Sequence, residues 1–382
     1  MVFLFTILPI LIFVAVLHFL KQPLTLDVVL FIVLAIFMSS ITTALDMDFY
    51  KIGFSHPYFE NSVNWGFKTI EKFFSNKGMS FYEFYFVYHI WCVTIVFLSI
   101  RLVFNDSFKC ILLYIISPFI FNVMQLKNFG MMAIMLLAFS ICYRCKNKKL
   151  KTIVWIVLII IASSLHVAGF AYLPFIFLLG NRKILDKLPV IMFVTTSFFI
   201  FASSYVLSSL LQPILALTVD DAYRAARYTE RHSSFGGFFF MFISLTMIFI
   251  ANQVRTMYRL YRFFYVDKLF LGENNVSFPE QIYDFTLYST LFWPLFVATA
   301  HYSRLIENQL VLIYILVVSS FSMYRRLSNK INRIFLDDMF IKILISFFLL
   351  MAIYVYSQWI LRIDDVVIGI FSNLKIFYAF TS

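Results

Sequence analysis

Charge is what this sequence has least of: only 13% of its 382 residues are Asp, Glu, Lys or Arg, while 62% are hydrophobic. With just ten glycines and nine prolines besides, the chain is neither a soluble globule nor a disordered one. Period-two alternation is missing, which argues against a transmembrane barrel. The N-terminal apolar run has no basic region before it and no small-residue cleavage site after it, so residues 1–20 read as a retained first helix and not a signal peptide. The four cysteines define no redox compartment: Cys92 and Cys110 sit in or near apolar runs. Cys142 and Cys145 have C-x-x-C spacing without a second ligand pair, so they read as packing residues, and no metal site is assigned. No internal repeat or low-complexity segment is apparent, which weakens a transporter reading.

What the chain does contain is a series of apolar stretches of 15 to 29 residues between short polar clusters. That is the length in which one helix, or two short ones, crosses about 30 Å of hydrocarbon. Helices are predicted at 2–20, 24–43, 82–104, 108–124, 129–145, 152–179, 189–217, 237–253, 282–300, 305–323 and 340–360. The fold expected is all-α: a polytopic transmembrane helix bundle of about 11 to 12 helical segments, forming one integral membrane domain over 1–382. Residues 44–80 form a first large external loop. In it Phe67, Ile70, Phe73 and Phe74 recur at helical spacing with Lys68, Glu71 and Lys72 on the other face, predicting an interfacial helix.

The run 152–179 has basic clusters at both ends, Lys146, Lys148, Lys149 and Lys151 before it and Arg182, Lys183 and Lys187 after it. If both clusters are cytoplasmic, the run enters and returns, with Ser163-Ser164-Leu165-His166 near its apex. Each arm is then about 13 residues, roughly 20 Å, too short for a full span, and such a re-entrant hairpin must be surrounded by protein or a water-filled cavity. Basic loops at 254–281 and 324–339 are also placed inside. This topology puts 20 of the 31 Lys and Arg residues inside and 11 outside, the bias cytoplasmic loops require. The net charge of +11 thereby has a membrane explanation, and nucleic acid is not implied.

The informative cations are those that topology leaves outside: Lys127, Arg224, Arg227, Arg231 and Arg304, joined by His166, His232 and His301. Ionisable groups at membrane depth are costly and mark functional sites. In the external loop 218–236, Arg224, Arg227 and Arg231 fall on one face if the segment is helical, a fork suited to phosphate oxygens. A solvated loop in which Asp220, Asp221 and Glu230 pair with these arginines is the alternative; for the cluster as a whole, anion binding is favoured. His166 is either a core histidine satisfied by Ser163 or Ser164 or a site residue. Arg304 either lines a cavity or snorkels to the surface, with Glu307 one turn on as its candidate partner. Asp46 and Asp48, at the outer end of the second helix, could serve as general base for a sugar hydroxyl, bind a divalent cation with a diphosphate, or cap the helix. Arg255, Arg259 and Arg262 share a helical face inside, where anionic headgroups suffice to explain them.

In order along 46–310, the chain resembles the EpsG-like, Wzy-type polysaccharide polymerases of bacterial plasma membranes. The family pattern begins with an aspartate and, four residues later, a tyrosine, matched by Asp46 and Tyr50. A Glu-Pro-Gly-Phe-like motif follows, matched in part by Trp65-Gly66-Phe67. Arg-Gln or Arg-Asn before an alanine-containing helix corresponds to Lys127-Asn128 with Ala133. Lys146 to Lys151 stands for the basic cytoplasmic turn, His166 for a histidine ending a helix, and Arg304 for a late arginine. The departures are Asn64 at the family's glutamate and Lys127 for its arginine. They leave Asp46, Asp48 or Glu60 to supply a base, and a point charge where a guanidinium would fork.

The resemblance implies an enzyme, a glycosyltransferase that moves a growing glycan from undecaprenyl diphosphate onto the next lipid-linked repeat unit. It would act at the outer face of the bacterial plasma membrane, without a cofactor. In that reading Asp46, Asp48 and His166 are catalytic, and Lys127, Asn128, Arg224, Arg227, Arg231 and Arg304 bind substrate. The undecaprenyl-diphosphate-linked oligosaccharide and membrane lipids are the expected partners, with chain-length regulator and flippase proteins as further candidates. A flippase for the lipid-linked unit, or a membrane-bound acyltransferase or ligase using His166 as base, is the alternative.

Overall fold

The structure is a computed structural model, and it describes residues 26–41, 47–56, 63–104, 107–179, 181–201, 234–265, 270, 277–298 and 304–355. Of these, 88% are helical and none forms a strand, so the chain is all-α as its hydropathy predicts. Five helices are long and apolar enough to cross a membrane: Phe81–Val103, Leu126–Arg144, Phe238–Phe264, Arg304–Leu327 and Arg333–Val355. The predicted span 2–20 and the arginine-rich loop 218–232 lie outside the described residues. The chain divides into two compact units, residues 1–170 with 352–382, and residues 171–351.

The first unit contains α1 (Leu26–Ser39), α2 (Met47–Ser55), α3 (Trp65–Asn76), α4 (Phe81–Val103), α5 (Ser107–Tyr114), α6 (Ile120–Met124), α7 (Leu126–Arg144) and α8 (Lys148–Leu165). Helix α4 packs on α1 and α7, and α7 packs on α8. Because α4 is apolar on every side, it is buried on nearly every side. Its start is set by a capping box, in which Ser80 Oγ accepts the Glu83 N–H at 3.3 Å and Glu83 Oε2 accepts the Ser80 N–H at 2.7 Å. The peripheral faces are the reverse of a soluble protein's. Val29, Ile32, Val33 and Ile36 on α1, and Ile153, Val157, Ile160 and Ile161 on α8, are exposed at helical spacing. Such stripes are stable against acyl chains and not against water.

Three features of this unit depart from the sequence reading. A helix forms where the interfacial one was expected, but its buried face is Phe67, Glu71 and Phe74, while Phe73 is exposed. Glu71, expected on the polar face, is fully buried because Lys68 Nζ reaches it at 2.7 Å and carries the counter-charge in with it. Secondly, α8 begins at the Asn147 cap, whose Oδ1 accepts the Lys149 and Leu150 N–H groups at 2.9 and 3.2 Å. It runs 18 residues, about 27 Å, so this arm of the predicted hairpin is longer than expected. The break falls where the sequence put it, since His166 is extended (φ −148°, ψ 120°) and a short 3-10 turn, Val167–Tyr172, follows. Thirdly, Asp48 lies in the first turn of α2, an exposed short helix of its own, and not at the end of the preceding span.

The second unit contains α9 (Phe175–Leu178), α10 (Arg182–Leu185), α11 (Leu188–Phe201), α12 (Ser234–Phe264), α13 (Phe278–Tyr288), α14 (Trp293–Ala298), α15 (Arg304–Glu307), α16 (Leu310–Leu327) and α17 (Arg333–Val355). Helix α12 packs on α13, α14 and α16, and α11 packs on α14. Two regions expected to be basic loops are largely helix: α12 continues through Arg255, Arg259 and Arg262, and only residues 328–332 separate α16 from α17. Arginine is a good helix former, so a charge cluster alone does not end a helix. The three basic segments assigned to the inside nevertheless meet at one end of this unit. Arg182 Nη2 lies 3.2 Å from Asp284 Oδ1, and Arg326 Nη1 donates to Tyr261 Oη at 2.7 Å.

Of the four cysteines, Cys92, Cys110 and Cys142 are buried, and Cys145 is half-exposed beside Lys146 at the basic end of α7. A membrane-impermeant maleimide is expected to label Cys145 in inverted vesicles and not in intact cells. Labelling from the outside would reverse the orientation.

Candidate functional site

Site residues in the first unit gather at the end of α7 and α8 remote from the basic turn Lys146 to Lys151. The cause is a break. Chain continuity between α6 and α7 is interrupted at Gln125 (φ −125°, ψ 72°), which puts Lys127 and Asn128 in the first turn of α7. The carbonyl of Val123, freed from helical bonding there, accepts the Tyr85 hydroxyl at 2.8 Å and lies 3.2 Å from His89 Nε2. His89 Nδ1 is in turn 2.7 Å from the Tyr85 carbonyl. His89, for which sequence gave no role, is therefore a support for the break that positions Lys127.

Helix α3 closes over this end. Gly66 faces Ser164, and a Cβ on Gly66 would run into the Ser164 hydroxyl and would lie 2.7 Å from its Cβ. Just before α3, the Asn64 side-chain oxygen accepts the Val167 N–H at 3.0 Å, tying the loop to the break after α8. Phe67, one turn into α3, lies beneath Lys127, whose Nζ is 5.7 Å from the ring centroid. Phe67 also meets Tyr88 edge-on at 5.4 Å, and the Tyr88 hydroxyl faces Gly130, where any side chain would collide with it. Lys127 and His166, nearly forty residues apart in sequence, thus border the same turn of α3. Both lysine and asparagine of the Lys127-Asn128 pair are buried.

His166 presents a defined chemical face. Its Nδ1 accepts the Ala168 N–H at 3.2 Å, so the neutral ring carries its proton on Nε2. In that tautomer Nε2 is a hydrogen-bond donor. Lys127 contributes a cation, Asn64 a cap, and Glu71 a carboxylate committed to Lys68, whose Nζ also lies 2.9 Å from where a Gly53 Cβ would be. Sequence reasoning missed Glu71 and Tyr88 because each depends on which way a helix is rolled. The signal available was Glu71 at four residues from Phe67 and three from Phe74, the spacing of one helical face.

In the second unit Arg304 opens α15, half-buried, with Glu307 buried one turn on. Helix α15 stops after four residues, and Leu305's carbonyl is satisfied by the Tyr172 hydroxyl at 2.9 Å and by Gln309 Nε2 at 3.2 Å. Asn308 Nδ2 donates to Tyr172 Oη at 3.3 Å, locking the corner. Arg304 and the basic pair Arg325-Arg326 lie at opposite ends of α15 and α16, about 30 Å apart at helical rise. Asp48 is exposed. Asp46, Glu60, Arg224, Arg227, Arg231 and His301 lie outside the described residues.

Several helices long and apolar enough to cross a membrane, interrupted beside polar residues, define a class: a polytopic membrane protein. The sequence model of the EpsG family matches residues 24–363, nine-tenths of the chain. The chain belongs to the EpsG family, which makes it a membrane protein of polysaccharide biosynthesis. No curated protein and no solved structure matches it.

Replacing Asn64 by alanine removes the acceptor for the Val167 N–H and is expected to cost about 1–2 kcal/mol, read as a lower unfolding midpoint in detergent. Asn64→Asp keeps an acceptor and should retain most of the midpoint. Gly66→Ala is expected to destabilise by about 1–3 kcal/mol, with partial relief from Ser164→Gly. Additive effects of those two substitutions would deny the contact.

Proposed function

We propose that the protein is a polysaccharide repeat-unit polymerase, transferring a growing glycan from undecaprenyl diphosphate to the next lipid-linked repeat unit at the outer face of the bacterial plasma membrane. The observation that supports this best is the end of the first unit where Lys127 and His166 border one turn of α3, remote from the basic turn. The family relation supports the polysaccharide substrate class.

The reaction joins an acceptor hydroxyl oxygen to the anomeric carbon of the donor glycan and breaks that carbon's bond to the diphosphate oxygen. Negative charge develops on the leaving diphosphate, and the acceptor proton must go to a base. Lys127 neutralises the diphosphate as a point charge, with Asn128 beside it donating from its amide. Nε2–H of His166 donates to a phosphate or leaving oxygen. Arg304, and Arg224, Arg227 and Arg231 in the external loop, are further diphosphate ligands. Asp46 or Asp48 takes the proton; Asp48 is reachable by a substrate, whereas Glu71 is enclosed with Lys68. A flippase and chain-length regulator would supply the unit and set the product's size.

His166→Ala, Lys127→Ala and Arg304→Ala are each expected to lower long-chain polymer at least about 100-fold while the protein still reaches the membrane. Lys127→Arg, which adds the planar fork found in the family, should keep activity. A normal chain-length ladder from the three alanine variants would sink the assignment.

A further inference from the structure

The arginines at the basic end of the second unit do not all face the lipid as their sequence spacing suggests. Arg262 is exposed, but Arg259 turns onto Glu280, donating from Nε at 3.2 Å and Nη2 at 3.0 Å to the same carboxylate oxygen. Arg182 at the start of α10 pairs with the buried Asp284 at 3.2 Å. Arg255 is the exception. Its guanidinium lies 3.7 Å from the centre of the Tyr283 ring, and Nη2 donates to Asn252 Oδ1 at 2.6 Å; among the described residues no carboxylate lies in contact with it, Asp186 acting on it only from a distance. Its Nε is buried without an acceptor. The Arg182 guanidinium also lies over the Tyr283 ring, at 5.7 Å.

We propose that Arg255, with Arg182 and Tyr283, forms a binding site for a phosphate group at the basic end of the second unit. Two of the three guanidinium groups here have a carboxylate in contact, Asp284 and Glu280, whereas among the described residues Arg255 has only the longer-range attraction of Asp186. A half-buried cation beside two other cations is unfavourable unless an anion balances it. Contact with the Tyr283 ring holds the Arg255 guanidinium in place while Nε is left without an acceptor, and a guanidinium with a donor to spare suits a phosphate oxygen. The setting suits a phosphate at a membrane surface: Ile184, Phe263 and Phe264 nearby in sequence are exposed apolar residues that acyl chains would cover. The phosphate can come from an anionic lipid headgroup or from a soluble compound, and the chemistry is shared. This site is at the opposite end of α16 from Arg304 and is independent of the polymerase reading.

The test is thermal unfolding of the full-length protein in detergent, titrated separately with phosphatidylglycerol, phosphatidylcholine and inorganic pyrophosphate. A saturable rise in midpoint of at least about 3 °C with phosphatidylglycerol and none with phosphatidylcholine is expected. Arg255→Gln should cut that rise to under a third, and Tyr283→Phe, which keeps the ring, should preserve it. A rise with pyrophosphate alone that Arg255→Gln removes supports the site and assigns it a soluble ligand. Should Arg255→Gln fail to fold, Arg182→Gln is read in the same titration. No rise with either phosphate compound, an equal rise with phosphatidylcholine, or an undiminished rise in the glutamine variant overturns the proposal.

Discussion

Inside a bilayer a backbone carbonyl or amide released from a helix has no water to bond, so a helix can be interrupted only where side chains take over its bonds. That constraint governs this chain. At the break before α7, the Tyr85 hydroxyl serves the Val123 carbonyl, with His89 packed against it. At the break after α8, Asn64 accepts the Val167 N–H, and at the end of α15, Tyr172 and Gln309 serve the Leu305 carbonyl. Each interruption adjoins a residue of functional interest: Lys127, His166 and Arg304. The polar residues that look isolated in an apolar sequence are in part the supports that allow the helices to stop there.

Charge follows the same logic at a larger scale. In the first unit α7 holds Lys127 at one end and Arg144 at the other, and in the second α15 and α16 hold Arg304 and the Arg325-Arg326 pair at theirs. Within each unit, helices of about 25–30 Å keep the two populations of cations at opposite ends. The cations at the basic end are neither uniformly solvated nor uniformly lipid-facing. Arg182 and Arg259 are drawn onto carboxylates and Arg255 onto an aromatic ring, which converts part of a topology signal into a built cluster.

How much could be read in advance depended on the scale of the feature. Spans were legible because each is a long run of one composition: α4 was placed to within one residue, and the interfacial helix and the break at His166 were found from periodicity and a polar interruption. Helix ends near arginines were not, since basic residues both mark a membrane surface and favour helix, and the two signals point opposite ways at Arg255 to Arg262. Glu71 was misassigned for a related reason. Hydropathy places a glutamate on the polar face, and the reach of Lys68, one turn earlier, helps to make it admissible in the interior.

By itself, the sequence determined that this is an all-helical membrane protein, because burial in hydrocarbon is an additive property of short segments. Tertiary structure alone decided that Lys127 and His166 border one turn of α3, that Asn64 is a cap, that His89 is a support, and that Arg255 lies against the Tyr283 ring. Those are properties of helix rotation and of approach between segments up to a hundred residues apart, set by close contacts such as Gly66 on Ser164, and no local pattern encodes them.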